Sequence, residues 1–189
     1  MNQQELIVKL QQGDEQAFKV IVETWQNMVY NTAISIVQSP EDAEDIAQET
    51  FVQVYQSISS FRGDAKFSTW LYRIVVTKSL DHERKKKRKK RFAVLQTLFG
   101  EKEEIYPADF QHPGVMLEKK ENAKELFKAL KQIPEKQQVA FTLHKLEGLS
   151  YQEIAGIMNT TLYAVESLMQ RAKNNLKKVL EKKYNDYEE

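Results

Sequence analysis

Cysteine is absent from the 189 residues. Disulfides, thiolate metal ligands and cysteine nucleophiles are therefore excluded together. Glycine and proline are scarce, at six and four residues, and the glycines never take the spacing of a phosphate-binding loop. Histidine occurs only at His82, His112 and His144, scattered rather than at ligand spacing, so neither a histidine metal site nor HExxH chemistry is expected. No apolar run approaches the roughly 18 residues of a membrane-spanning helix. The opening MNQQELIVKL has no basic segment leading into an apolar stretch, so no signal peptide is expected. Together with the missing cysteine, this points to the cytoplasm. Carboxylates are plentiful, yet none stands out as an acid–base pair. The expectation is a protein without catalytic activity, metal or cofactor.

What is present is apolar residue at 41%, enough for packed cores, and charge at 29% that is unevenly placed. Residues 1–60 carry two lysines against nine acids, and residues 61–91 carry twelve cations against three acids. Eight consecutive cations, residues 84–91, form one run. Segregated charge of this kind suits a chain with one face for a phosphate backbone and another for a basic partner. A solvated helix face is the plainer alternative.

The periodicity is helical throughout. Leu6, Ile7 and Leu10 mark a short helix ending near Gly13, and Phe18, Ile21, Val22, Trp25, Met28, Val29 and Ile36 recur at three- and four-residue steps. Ser39, Pro40 and Asp42 read as N-cap, first helical position and N3 of the next helix. There Ile46, Phe51, Val54 and Ile58 share one face, while Asp42, Asp45, Glu49 and Val52 share another. A loop at 61–67 leads to a helix capped by Ser68, which carries Trp70, Leu71, Ile74 and Val75 into the basic run. Residues 92–116 contain Gly100, Pro107, Pro113 and Gly114 and read as a flexible linker with a short helix around 92–99. Helical stripes return at 117–133 and 139–146. Ser150 and Glu153 form a capping box before a short helix, and Asn159-Thr160-Thr161 turns the chain into a last helix from Leu162 through Leu180. The fold class expected is all-α: two small helical domains, 1–91 and 117–183, joined by a linker.

Three constellations could carry function. The short helix, turn and basic helix at 150–180 have the form of a helix-turn-helix, whose exposed helix fits the major groove. By pattern alone, DNA binding and a purely structural helix pair stand level. In loop 61–67 and the helix behind it, Phe61, Phe67, Trp70 and Tyr72 interleave with Arg62, Lys66 and Arg73. Rings stack on bases while cations take phosphates, which is how single strands are held. Trp70 is the expected core residue of this group and Phe61 the expected exposed wedge. The acidic face of helix 41–57 suits either a protein contact or solvent.

Taken together and in this order, the three segments resemble the extracytoplasmic-function sigma factors of RNA polymerase. PEDAEDIAQETF (40–51) is similar to the family's region 2.2, FRGDAKFSTWLYRI (61–74) to regions 2.3 and 2.4, and GLSYQEIA (148–155) with the following helix to region 4.2. The resemblance implies that Asp45, Gln48, Glu49 and Phe51 dock on the clamp helices of the largest subunit of core polymerase, with a further contact at the flap. It implies that Phe61, Arg62, Lys66, Thr77, Lys78, Arg84, Lys85 and Arg88 open and read the minus-ten element, a base being flipped into a pocket near the loop. It assigns the minus-thirty-five element to Tyr163, Glu166, Ser167, Gln170, Arg171 and Lys173. It further implies promoter-specific initiation at a stress or extracytoplasmic-signal regulon, under an anti-sigma factor that is often membrane-linked.

Two departures bear on base preference. Thr77 stands where family members often carry Asn, one hydroxyl replacing an amide donor and acceptor. Tyr163-Ala164-Val165-Glu166-Ser167-Leu168 stands where many read Gly-Thr-Val-(Lys/Arg)-Ser-Arg, so Glu166 and Leu168 replace two cations. A dimeric helix-turn-helix repressor gives the aromatic–basic loop no role, and a polymerase adaptor without promoter recognition is the third reading. Glu166 can accept from a cytosine amino group but repels phosphate. Glu166→Ala is therefore expected to change the preferred minus-thirty-five base by about 1–3 kcal/mol at one position, the worth of one base contact. An unchanged ranking in a randomised promoter selection would remove the base-reading role from Glu166.

Overall fold

The computed structural model describes the backbone of residues 3–97 and 120–185 and the side chains of 3–91 and 123–182. Among these residues there are eight α-helices, one 3-10 turn and no strand. Helix α1 is Gln3–Gln11, α2 Glu15–Val37, α3 Pro40–Ser57 and α4 Phe67–Thr97. Helices α5 Lys120–Leu130, α6 Glu135–Lys145, α7 Tyr151–Ile157 and α8 Leu162–Asn185 complete the chain.

Local chemistry explains most of the boundaries. Asp14 accepts from the Gln16 and Ala17 amides at 2.8 and 3.0 Å and starts α2. Helix α2 ends where Gln38 enters the left-handed region at φ 57°. Ser39 accepts from the Asp42 amide at 3.4 Å, with Pro40 occupying the first position of α3. Ser150 and Glu153 close the capping box of α7 as their spacing requires. Between α7 and α8, Asn159 takes φ 49°, a conformation that asparagine tolerates better than most residues. Thr161 Oγ1 then accepts from the Ala164 amide at 3.2 Å and caps α8.

Helices α2, α3 and α4 pack on one another through Ile21, Val29, Ile34, Ile46, Val54, Leu71 and Val75, all almost fully buried. Helices α5, α6 and α7 pack on α8 through Leu130, Leu143, Ile154, Val165, Met169 and Ala172. Truncating a buried leucine or isoleucine of this kind typically costs about 2–5 kcal/mol. The two groups of helices also meet, α2 against α6 and α4 against α7. Gln138 donates to the Ile36 carbonyl at 3.1 Å and Gln38 to the Phe127 carbonyl at 2.7 Å.

The basic run differs from the expected layout. Helix α4 does not stop at 91 but continues without interruption to Thr97, 31 residues in all. The boundary placed at 91 therefore falls inside a helix, and residues 92–97 extend α4 in place of a separate short helix. The rest of the expected linker, 98–116, lies outside the described residues, as does His112. No helix among the described residues is long and apolar enough to cross a membrane.

Asp42 ties α3 to α4, with oxygens 3.2 Å from His82 and 2.6 Å from Lys86. Burial pushes its carboxyl up, but hydrogen bonds and charge from Lys86, with Ser39 and His82, outweigh burial and hold it below its ordinary value of 3.8. A carboxyl lowered on folding stabilises the fold at and above its ordinary value, and that contribution is lost as pH falls through the folded value. Asp42→Asn is expected to flatten the acid limb of a denaturation–pH profile below that range. The cost at neutral pH should be about 1 kcal/mol, the scale of a partly exposed pair. Parallel profiles for the two proteins would show that the interaction carries no pH dependence.

Candidate nucleic-acid interface

Loop 61–66 is held open by its two ends. Gln11 of α1 donates to the Ile58 and Phe61 carbonyls at 3.2 and 2.9 Å, pinning the loop's start. Gly63 turns the loop at φ 78°, where a side chain would strain the backbone. Phe67 then enters the core at the start of α4. Three rings form a cluster: Phe61 lies 5.8 Å from Phe67 and 5.2 Å from Trp70, and Phe67 lies 5.7 Å from Trp70. Trp25 of α2 backs this cluster at 6.1 Å from Phe67.

The burial pattern revises two expectations. Phe67 is the core residue of the cluster, whereas Trp70, expected there, is only half-buried. Phe61 is half-buried against both, not a free wedge. Its outer side faces a cavity of about 580 Å³ between α1 and the loop, lined by Gln3, Gln4, Ile7, Arg62 and Lys66 among others. That volume lies within the roughly 300–1,000 Å³ usual for small-ligand sites.

Helix α4 sorts its cations onto two sides. Toward α3, Lys78 meets Glu49 at 3.3 Å, and His82 and Lys86 meet Asp42. Toward the second group of helices, Arg73 donates twice to the Gly156 carbonyl, at 2.9 and 2.6 Å. Arg84 and Lys87 lie 3.1 and 3.6 Å from Glu135, and Lys131 answers Glu83 at 2.9 Å. Lys66, in the loop, lies 3.3 Å from Glu153. Thr77, Lys85 and Arg88 are exposed on α4, and Arg62 is exposed beside Asp64 at 3.8 Å.

Titrating groups between the helix sets are perturbed. Tyr72 donates to Glu147 at 3.2 Å. Burial and the Glu147 charge push the Tyr72 phenol well above its ordinary value. Burial raises the Glu147 carboxyl, partly offset by hydrogen bonds from Tyr72 and Thr32. Burial lowers the Lys131 ammonium, opposed by Glu83. Glu153 is held low chiefly by the Ser150 backbone amide, then by the Ser150 hydroxyl and Lys66.

The structure brings the expected minus-thirty-five residues together with one partial exception. Tyr163, Glu166, Gln170, Arg171 and Lys173 are all exposed along α8, Tyr163 to 78%. Ser167 is half-buried. Leu168 packs against the core and does not belong to that exposed face. On α3, Asp45, Gln48 and Glu49 line a shallow cleft with Val52, Gln53, Gln56 and Lys78. Phe51 is not part of it: the side chain is 7% exposed and faces the core. The apolar residues that do face out are Val52 and Tyr55, 54% and 47% exposed. Helical spacing alone already puts Phe51 with Ile46 and Val54; only the motif resemblance draws it into the contact set. Sequence reading also misses the role of Arg73, whose partner is a backbone carbonyl and leaves no trace in the side-chain pattern.

Two family profiles match, Sigma-70 region 2 over residues 21–89 and Sigma-70, region 4 over residues 123–176. The chain is 30% identical over 183 residues to the RNA polymerase sigma-H factor of Pseudomonas aeruginosa, covering 94% of this chain and 93% of that protein. It is 33% identical over 175 residues to the ECF RNA polymerase sigma-E factor of Escherichia coli K12, covering 92% and 91%. Among solved structures, CnrH in complex with the cytosolic domain of CnrY aligns with TM-score 0.65 at 20% identity, over 93% of this chain and 95% of CnrH. The sigma factor RpoE in complex with the anti-sigma factor NepR, from Bartonella quintana, aligns with TM-score 0.63 at 24% identity, over 87% and 96%. At these identities the two structures establish a common fold.

The exposed part of the basic run is expected to act by releasing counterions. If five cations meet phosphates, log affinity should fall with log salt at a slope near about −4.5 for duplex DNA. Replacing Lys85, Lys86, Lys89 and Lys90 by alanine should weaken open-complex formation and reduce that slope by about 0.9 for each phosphate that is no longer neutralised. Promoter binding by the loaded polymerase at several salt concentrations measures it. A slope equal to that of the parent would make the run a solvated helix end.

Proposed function

The chain belongs to the sigma-70 family of RNA polymerase sigma factors, in its extracytoplasmic-function branch, and on that basis we propose how its surfaces divide the work of promoter-specific initiation. As a sigma factor it binds core RNA polymerase and directs initiation at promoter DNA. It acts in the cytoplasm, by binding alone and without a catalytic step of its own.

The single observation that carries the assignment of surfaces is the loop 61–66 cavity beside its aromatic cluster. Apolar rings, an open volume and the exposed cations Arg62 and Lys66 converge there. A base extruded from the minus-ten element enters this cavity and stacks near Phe61. Extrusion costs a few kcal/mol, and stacking at about 1–3 kcal/mol per base offsets much of it. Thr77, Lys85 and Arg88 on α4 lie along the strand's further path, and Thr77 offers a hydroxyl in place of an amide for reading it.

Helix α3 docks on the polymerase clamp helices through Asp45, Gln48 and Glu49 with Val52 and Tyr55, an acidic rim around an apolar patch. Helix α8 enters the major groove at the minus-thirty-five element, with Tyr163, Glu166 and Gln170 toward bases and Arg171 and Lys173 toward phosphates. An anti-sigma factor is the expected inhibitor and a stress regulon the expected target.

Run-off transcription with purified core polymerase on pooled genomic fragments tests this reading. Transcripts that require the added chain, with start sites sharing two upstream elements, are the expected result. Val52→Glu should cut core polymerase affinity about tenfold or more with the fold intact. Phe51→Ala should instead lower stability by about 3–5 kcal/mol, as removal of a buried ring does. Absence of both transcripts and polymerase binding would return a duplex-binding repressor to first place.

A further inference from the structure

Helix α1 holds loop 61–66 through one side chain. Gln11 is the last residue of α1 and follows Leu10, which is 1% exposed and anchors the helix end in the core. Gln11 Nε2 donates to the Ile58 carbonyl at 3.2 Å and to the Phe61 carbonyl at 2.9 Å, across 47 and 50 residues of chain. The Ile58 carbonyl also accepts from the Phe61 amide at 3.0 Å, closing the 3-10 turn that leads into the loop. One carboxamide therefore grips both ends of that turn.

The chemistry of this contact is selective. Both partners are carbonyl oxygens, which only accept, so both contacts use the NH2 of the Gln11 amide. Glutamate has the same length but an ionised carboxylate has no donor, and methionine has a similar length and no N–H. Neither can replace it.

Gln11 also ends a stripe. Gln4, Ile7, Val8 and Gln11 fall at helical steps of three and four and form the α1 wall of the cavity of about 580 Å³. Phe61, Arg62, Gly63, Ala65 and Lys66 stand on the loop side. Gln11 ties the two walls together and so sets their separation. The tie falls on Phe61, whose carbonyl it fixes while the ring leans on Phe67 and Trp70 at 5.8 and 5.2 Å. Without it the Phe61 backbone is released, and the ring with it.

Resting on the reading of this cavity as the seat of an extruded base, we propose that Gln11 is a positioning residue for promoter opening. It fixes Phe61 and the start of the loop in the geometry that accepts the base. It lies on α1, whereas the surface assigned to polymerase docking lies on α3, so its effect falls on opening and not on loading. Gln11 is exposed, and hydrogen bonds of this kind contribute modestly to stability, so the fold survives its loss.

The test uses holoenzyme assembled from core polymerase and the full-length chain. A fluorescent base analogue is placed in turn at each non-template position of the minus-ten element, and brightening on binding marks the base that leaves the stack. Gln11→Met should lower the extrusion equilibrium at that position about tenfold, the scale of two net hydrogen bonds, and Gln11→Glu at least as much. Core polymerase affinity and the melting temperature of the free chain should stay near those of the parent. On a promoter made abasic at the same position there is no base to seat, and the parent and Gln11→Met should open it equally. Equal brightening by the two proteins would overturn the proposal, as would a Gln11→Met deficit that persists undiminished on the abasic promoter. A Gln11→Met chain that melts early or loses polymerase would make Gln11 a general brace and overturn it too. Brightening at no position with the parent would remove the cavity reading and this proposal together, a result distinct from any that touches Gln11 alone.

Discussion

Eight consecutive cations on one helix repel one another, each like-charge neighbour at three or four residues costing a few tenths of a kcal/mol. Part of that repulsion is offset from outside the helix, by Asp42 against Lys86 and by Glu135 against Arg84 and Lys87. Its apolar stripe, Leu71, Val75 and Val76, is buried between α2 and the rest of the first group. The polar side chains that follow are sorted by helical phase. Lys78, His82 and Lys86 turn toward acids of α3, while Arg73, Arg84 and Lys87 turn toward acceptors of α6 and α7. The first set is internal to one packed group. The second set spans the two groups. One helix therefore carries both a brace within its own group and a contact to the other group.

This division also accounts for the acidity of α3. Asp42 and Glu49 look alike in sequence, both acids on the same helix. In the structure Asp42 is committed to His82 and Lys86, with its carboxyl held low. Glu49 gives one oxygen to Lys78 at the edge of the cleft and remains 67% exposed along its side chain. Asp45 and Gln48 beside it are exposed. Only the part of the acidic face not consumed by α4 is available to a protein partner, and Val52 and Tyr55 supply the apolar centre that such an interface needs.

Much of the fold was legible in the residues because local signals agreed with one another. Ser39 with Pro40, and Ser150 with Glu153, fix helix starts within a turn by hydrogen bonds that short spacing alone demands. The end of α4 was not legible. Lysine and arginine are good helix formers, so nothing in the run stops a helix, and the breakers that suggest a linker begin only at Gly100. Side-chain facing was readable where period and motif agreed, as along α8. At Phe51 the period alone places the ring inside with Ile46 and Val54, and the structure buries it there. The packing of α4 on α7 could not be read at all, since its strongest hydrogen bond joins a side chain to a backbone carbonyl 83 residues away.

The departures in the recognition helix are narrower than the sequence suggests. Two positions carry Glu166 and Leu168 in place of cations, which taken together would remove two charges from the DNA face and leave Glu166 to oppose phosphate. Leu168 is packed against the core, so its side chain is part of the scaffold and a cation there would have to bend around α8 to reach a groove. Glu166 alone changes the charge of the exposed face, and Arg171 and Lys173 follow it one to two turns along α8. Tyr163, the most exposed large side chain at the start of α8, lies one turn before Glu166 and presents a broad apolar ring and a hydroxyl on the same side of the helix.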